Sequence, residues 1–148
     1  MGETIMEIRE IRESDYKSAI EISNLAVKEL YGIEPSMNFN FKIKNVFVTP
    51  GNVARAIFVD KMMVGLFLLT EERFIHNDTK KMNINFFYVL QEYRTVENMN
   101  KIYDFIENFA VVNGSKSIGF DSSLPYFSNH MVDNFDVKQQ SIHFEKAL

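Results

Sequence analysis

An arginine and a threonine separate an apolar segment from an amphipathic one near the middle of the chain. Residues 82–90 are apolar and aromatic, a polar break follows, and Arg94 and Thr95 come just before a helical pattern. A helix start presents backbone N–H groups and the positive end of the helix dipole. In a strand–helix–strand unit, a ligand lies at the carboxyl end of the first strand. The sequence therefore predicts a ligand site between the carboxyl end of this strand and the amino end of the helix.

Three elements have to position this site. Residues 82–90 predict a strand that is buried on both faces, because the run is apolar and polar residues flank it. Thr95 can cap the helix that follows, and Asn113-Gly114 ends it. Residues 117–120 predict a second strand, parallel to the first with a right-handed crossover. The helix turns one apolar face inward, made of Met99, Ile102, Tyr103, Phe105, Ile106, Phe109 and Ala110.

The remaining chain supplies more strands and helices. Residues 5–11 alternate as a strand does, and a helix over 16–30 begins at Ser14-Asp15. Its inward residues are expected to be Ala19, Ile20, Ile22, Leu25, Ala26 and Leu30. Residues 33–51 carry a weaker signal for a short helix and a turn at Pro50-Gly51. Among the Phe residues expected in the core are Phe39, Phe41, Phe67 and Phe87.

Two strands, over 52–59 and 62–70, are joined by a tight turn at Asp60-Lys61. Gly65 interrupts the second strand, as a bulge or a close backbone approach would. Polar residues 71–81 predict a hairpin loop, and two more short strands are expected over 135–138 and 141–144. The sequence thus predicts one α+β domain over residues 1–148, with a central mixed, mostly antiparallel sheet flanked by helices.

The composition narrows the classes of function. The chain has 148 residues, is 46% hydrophobic, lacks cysteine and carries a net charge of −4. Such a chain is expected to be globular, and the lack of thiols fits a reducing cytoplasm. Mild acidity without a basic run argues against a nucleic-acid partner, and no apolar stretch is long enough for a membrane span. No His or acidic cluster has metal-ligand spacing, so no metal is expected.

The order of these elements resembles the GNAT superfamily of acyl-coenzyme A-dependent N-acetyltransferases. The matching segments are IREIRESDYKSAIEISNLAV, AIFVDKMMVGLFLL, FYVLQEYR, NFAVVNGSKSIGFD and NHMVDNFDVKQQSIHFEKAL. They cover nearly the whole chain, and their order carries the resemblance. The short phage-encoded and bacterial members are the most similar branch.

The resemblance implies acetyl-coenzyme A as cofactor and an amine as acceptor. The family's strand backbone pairs with the pantetheine arm, and a loop with the pattern Arg/Gln-x-x-Gly-x-Gly/Ala holds the pyrophosphate. Arg94 matches this loop, whereas Glu97 and Met99 occupy its two small positions. A carboxylate there repels a diphosphate, and Met99 adds bulk where bare backbone is needed. The cofactor-binding residues implied are Val89, Leu90, Arg94, Thr95, Asn98, Met99 and Asn100.

Acetyl transfer also needs a base for the amine and an acid for the leaving thiolate. The family's acid aligns with His130, and Tyr126 lies one helical turn earlier. The family's base is often a Glu on the fourth strand, which here offers only Asn83 and Asn85. The nearest carboxylates by sequence are the pair Glu71-Glu72 at the end of the third strand.

Each of these residues also has a purely structural interpretation. Arg94 can be a surface cation, Glu97 an ordinary acid at a helix start, and His130 a surface histidine. Three functions therefore stay open. The first is an N-acetyltransferase acting on a small-molecule or peptide amine, and the second is a GNAT-fold binding or structural protein without catalysis. The third, a nucleic-acid mimic or inhibitor acting through acidic surface, has only the modest negative charge in its favour. The sequence is compatible with a monomer and with a homodimer.

Overall fold

The computed structural model describes residues 5–73, 79–120 and 146. Within them, five strands form one sheet in chain order. Neighbouring strands are antiparallel except β4 and β5, which are parallel. The predicted mixed, mostly antiparallel sheet flanked by helices is thus confirmed. The strands are β1 (Met6–Glu10), β2 (Asn52–Val59), β3 (Met62–Arg73), β4 (Lys80–Val89) and β5 (Ser117–Phe120), and the helices are α1 (Tyr16–Tyr31), α2 (Met37–Val48) and α3 (Val96–Val112).

Each face of the sheet has its own hydrophobic core. Phe87 packs in one cluster with residues of α3, and the next residue of β4, Tyr88, packs in the other with residues of α1. Successive side chains of a strand point to opposite faces. Consequently α3 and α1 cover opposite faces, and β4 is buried on both, as predicted. The α3 side holds Ile57, Val64, Phe67, Leu69, Phe87, Val89, Ile102 and Ile106, and the α1 side holds Ala19, Ile22, Ala26, Ala56, Phe58, Leu66 and Tyr88.

The buried stripe of α1 is narrower than predicted. Ala19, Ile22 and Ala26 are buried as expected, together with Ser23, whose hydroxyl donates to the Ala19 carbonyl at 2.8 Å. Leu25 is 45% exposed, so its predicted inward position is wrong. Successive side chains of a helix are rotated by roughly 100° about its axis, and this rotation places Leu25 outside the stripe of buried residues.

The weak pattern before β2 forms the full helix α2. Ser36 caps it, since its hydroxyl accepts the Phe39 N–H at 3.1 Å. No residue of α2 is fully buried, and Phe41 is 69% exposed, which contradicts its predicted core position. Among the described elements, the helix contacts only β2 and α1 closely, and it therefore leaves much of its apolar surface uncovered.

The polar stretch 71–81 is not simply a loop. β3 continues to Arg73 and β4 begins at Lys80, so the prediction is wrong at both ends; residues 74–78 lie outside the described part. Glu71 lies 3.2 Å from Lys80 across the two strands. Oppositely charged cross-strand pairs of this kind stabilise strands whose side chains reach solvent.

The tight turn and the glycine interruption are both confirmed. Asp60 and Lys61 have φ angles of 49° and 70°, the left-handed pair that a two-residue hairpin turn requires. The ladder between β2 and β3 shifts register between Ile57 and Phe58, opposite Gly65. A Cβ at Gly65 would lie 2.4 Å from the Tyr88 carbonyl oxygen, so close backbone approach accompanies the bulge.

An ion pair fixes β1 to the start of α1. The Asp15 carboxylate accepts from Arg9 Nη1 at 2.7 Å, from Arg9 Nη2 at 3.2 Å and from the Arg12 N–H at 2.9 Å. The guanidinium also lies 4.1 Å from the centre of the Phe58 ring. The hydrogen bond from Arg9 holds the pKa of Asp15 below its ordinary value, although partial burial acts in the opposite direction.

We expect Asp15→Asn to lower the free energy of unfolding by about 1–2 kcal/mol at neutral pH. A lowered carboxylate pKa contributes stability above the unfolded-state value of about 4, and this contribution disappears as the pH falls through the folded-state pKa. Urea denaturation should therefore show a difference from wild type at pH 7 that vanishes in acid. Glu13→Gln, at an exposed neighbour, is the control. A difference that is constant with pH would contradict the charge-based explanation.

Candidate functional site

β4 and β5 pair over only part of β4. Their parallel register joins Lys81–Ile84 to Ser117–Phe120, and β4 then continues to Val89. Within the described residues, this last part of β4 has no strand partner on the β5 side. The amino end of α3 follows through a short 3-10 turn at Gln91–Tyr93. In the part of the chain that the structure describes, a strand edge without a paired neighbour, the open edge of β4, thus meets a helix start at one end of the sheet.

The Val89 carbonyl lies on this open edge. The Leu90 N–H donates to the Val64 carbonyl at 2.8 Å, so the polar backbone groups of Leu90 face β3. These groups alternate in direction along a strand, and the carbonyl of Val89 therefore points away from β3. It accepts a hydrogen bond of 2.7 Å from Nε of Arg94.

The start of α3 is capped as the sequence predicted. The Thr95 hydroxyl accepts the Asn98 N–H at 3.1 Å, and the Asn98 side-chain amide donates to the Tyr93 carbonyl at 3.0 Å. Helix geometry leaves the N–H groups of Val96 and Glu97 without an intrahelical acceptor. Together with the helix dipole, these donors favour an anion at this position.

Glu97 and Met99 do not fill the loop. The Glu97 carboxylate lies 3.2 Å from Nζ of Lys101, one turn along α3, and its side chain is 79% exposed. Met99 is only 2% exposed and packs in the α3-side core with Ile102. The predicted bulk of Met99 in the loop is therefore wrong, since its side chain points into the protein. Only the backbone of Met99 is therefore placed to contact a cofactor.

Arg94 turns back toward α1. Its Nη2 donates to the Glu29 carboxylate at 2.5 Å, and the guanidinium lies 5.2 Å from the centre of the Tyr88 ring. Its side chain is only 16% exposed. Burial raises the pKa of the Tyr88 hydroxyl, and the negative charge of Glu29 adds to the rise. Sequence reasoning missed Glu29, because a contact between residues 65 positions apart leaves no periodic pattern.

Both carboxylates at the end of β3 contact residues of β4, but with different partners. Glu72 accepts a hydrogen bond of 2.7 Å from the side-chain amide of Asn83. Glu71 lies on the opposite face, since consecutive strand residues alternate, and pairs with Lys80. Of the two predicted base candidates, Glu72 is thus the one bound by an asparagine of the fourth strand, whereas Glu71 is neutralised by a lysine of it. Sequence reasoning named the carboxylate and the asparagine separately but not their contact.

The predicted acids Tyr126 and His130 lie outside the described residues, as do the strands expected over 135–138 and 141–144. Both acids remain predictions. In the part of the chain that the structure describes, no three His, Asp or Glu side chains are grouped as metal ligands would be. In the same part, no helix combines the length and the apolar character that crossing a membrane requires.

Comparison with known proteins identifies the fold. No protein-family model and no curated protein sequence matches the chain. Its structure is similar to aminoglycoside N-acetyltransferase AAC(6')-Iy in complex with CoA, with a TM-score of 0.73 at 12% identity, covering 99% of this chain and 98% of that one. The ribosomal-protein-alanine N-acetyltransferase from Brucella melitensis biovar Abortus 2308 gives 0.73 at 11% identity, covering 98% and 100%. Glucosamine-6-phosphate N-acetyltransferase from Arabidopsis thaliana gives 0.70 at 18% identity, covering 97% and 98%. The chain therefore has the GNAT fold, as the order of its elements predicted.

Proposed function

We propose that this protein is an N-acetyltransferase that transfers an acetyl group from acetyl-coenzyme A to an amine. The observation that carries the proposal is the open edge of β4 next to the amino end of α3. The edge offers backbone groups to the amides of a pantetheine arm, and the helix start offers N–H donors to a diphosphate. The residues present thus fit both ends of an acyl-coenzyme A molecule.

The proposed contacts follow the geometry. Val89 and Leu90 would hold the pantetheine arm, and the first turn of α3 would hold the diphosphate. In this proposal residues 1–148 form one acyltransferase domain that works in the cytoplasm. The residues assigned to the cofactor are Val89, Leu90, Arg94, Thr95, Asn98, Met99 and Asn100.

When bound, acetyl-coenzyme A supplies a thioester whose acetyl carbon an amine can attack. The protein has to move two protons for this chemistry. We assign the base to Glu72, whose carboxylate Asn83 holds at 2.7 Å, acting directly or through a water on the proton that the amine loses. His130 or Tyr126 returns a proton to the departing sulfur. Histidine titrates near neutral pH and suits that role.

The acceptor is proposed to be a small-molecule or peptide amine. The similar structures include acetyltransferases named for aminoglycosides, for a ribosomal-protein alanine and for glucosamine-6-phosphate. These names span amino sugars and an alanine of a protein, and all three describe transfer of an acetyl group to nitrogen. A panel of amino sugars, polyamines and peptides with a thiol-release readout will therefore identify the class.

Titration of the protein with acetyl-coenzyme A tests the proposal directly. We expect saturable heat in calorimetry and a rise of several degrees in melting temperature at millimolar cofactor, since a ligand that binds only the folded state stabilises it. Adenosine diphosphate serves as a control for binding through the diphosphate alone. A folded protein that shows neither heat nor a thermal shift at millimolar acetyl-coenzyme A would contradict the proposal.

A second function, a GNAT-fold binding or structural protein without catalysis, is favoured by one observation. Arg94, the only residue of the family loop pattern that the sequence keeps, is bound to Glu29 and to the Val89 carbonyl. If this arrangement is permanent, Arg94 blocks the open edge of β4 and no cofactor can pair with it. The same titration separates the two functions, because a closed edge binds no coenzyme A at any accessible concentration.

A further inference from the structure

Arg94 bridges two parts of the proposed cofactor site. Its Nε occupies the Val89 carbonyl at 2.7 Å, which is an acceptor on the open edge of β4. Its Nη2 is bound to Glu29 of α1 at 2.5 Å. A pantetheine amide needs the Val89 carbonyl as its acceptor, and a diphosphate needs the Arg94 guanidinium as its donor. The guanidinium therefore satisfies, within the protein, contacts that a cofactor would otherwise make.

The surroundings keep Arg94 in this position. The guanidinium lies over the Tyr88 ring at 5.2 Å, and only 16% of its side chain is exposed. Charge-assisted hydrogen bonds with so little solvent contact are among the stronger ones in proteins. Glu29 neutralises the positive charge, so the field that would attract a diphosphate is weakened. The Glu29 side chain is itself 37% exposed, which leaves its bond open to exchange with a ligand.

We infer that Glu29 sets the affinity of the protein for coenzyme A by holding Arg94 across the open edge of β4. This inference rests on the proposed function. Binding of coenzyme A exchanges the Glu29 carboxylate for a phosphate oxygen at the guanidinium, and it exchanges Nε of Arg94 for a pantetheine amide at the Val89 carbonyl. Glu29 is thus a positioning residue that acts through Arg94 and touches neither reacting group.

The experiment compares four proteins by calorimetry with coenzyme A: wild type, Glu29→Gln, Arg94→Gln and the double variant. Glutamine keeps the shape of Glu29 but removes its charge, so it releases Arg94. We expect Glu29→Gln to lower the Kd for coenzyme A by about tenfold. The gain should vanish when Arg94 is also replaced, because it acts only through that residue. Glu21→Gln, an exposed site on the same helix, is the matched control and should leave the Kd unchanged.

A second readout needs no cofactor. In the free protein, Glu29→Gln and Arg94→Gln should each lower the melting temperature, and the double variant should lose less than the sum of the two. If the decrease in melting temperature of the double variant equals the sum of the two single decreases, the ion pair does not form in solution and the inference is overturned.

The possible failures are distinguishable. If wild type binds coenzyme A and Glu29→Gln binds equally or more weakly, the inference is wrong and the acetyltransferase proposal stands. If none of the four folded proteins binds at millimolar coenzyme A, both are wrong. Tighter binding that persists without Arg94 would also overturn the inference, since Glu29 would then act on the cofactor directly.

Discussion

Replacement of Phe67 by alanine is expected to lower the free energy of unfolding by about 3–5 kcal/mol. Phe67 is fully buried at the centre of the α3-side core. Its ring is stacked with that of Phe87 at 6.4 Å between centroids, and it meets Phe105 of α3 at 6.1 Å. The substitution removes apolar area and leaves a cavity between sheet and helix, and the surrounding side chains can refill it only in part. Urea denaturation monitored by circular dichroism measures the loss.

Phe41→Ala is the matched control for this substitution. It removes the same atoms from a side chain that is 69% exposed on α2, and surface substitutions of this kind change stability by roughly 0.5 kcal/mol or less. Similar losses at the two positions would show that the core is not centred on Phe67. The assignment of the two sheet faces would then need revision.

Replacement of Gly65 by alanine is expected to cost about 3 kcal/mol through overpacking. The added Cβ would lie 2.4 Å from the Tyr88 carbonyl oxygen and 3.1 Å from the Val89 Cα. Both are backbone atoms and cannot rotate away, so β3 and β4 would have to separate where β4 approaches the candidate site. The loss of unfolding free energy in urea measures this cost.

Gly119→Ala provides a control with the same chemical change. Its Cβ would also meet an atom at 2.4 Å, but that atom is Cε of Lys81, near the end of a flexible side chain. Lys81 can move, so we expect a loss of about 1 kcal/mol or less, mainly from local adjustment. Equal losses at Gly65 and Gly119 would contradict the argument that backbone contact makes Gly65 necessary.

The fold was accessible from the sequence because its signals are local. The Asp60-Lys61 turn, the Thr95 cap and the helical spacing from Met99 to Ala110 each act within a few residues, and the structure confirms all of them. Predictions failed where exposure depends on neighbours that are distant in sequence. Phe41 is as apolar as a core residue, and it meets solvent because α2 packs closely on only β2 and α1 among the described elements.

The candidate site was less predictable, since its contacts join separate elements. The sequence placed Arg94 at the end of β4, but nothing near it indicates that Glu29 of α1 is its partner. Glu72 and Asn83 come together only because the register of β3 and β4 sets them diagonally across the ladder. Charge and residue type can thus be predicted at such a site, whereas the choice of partner depends on tertiary structure.

The strands occur in the sheet in the same order as in the chain. As synthesis proceeds from the amino terminus, each strand from β2 to β4 can join a neighbour already made, and no connection has to pass through another. β5 differs, because α3 has to emerge and cross the sheet before the parallel pair can close. The edge proposed for the cofactor is therefore completed after β1 to β4 have assembled. A nascent chain would therefore pair four of its five strands before α3 covers the second core and completes the proposed cofactor site.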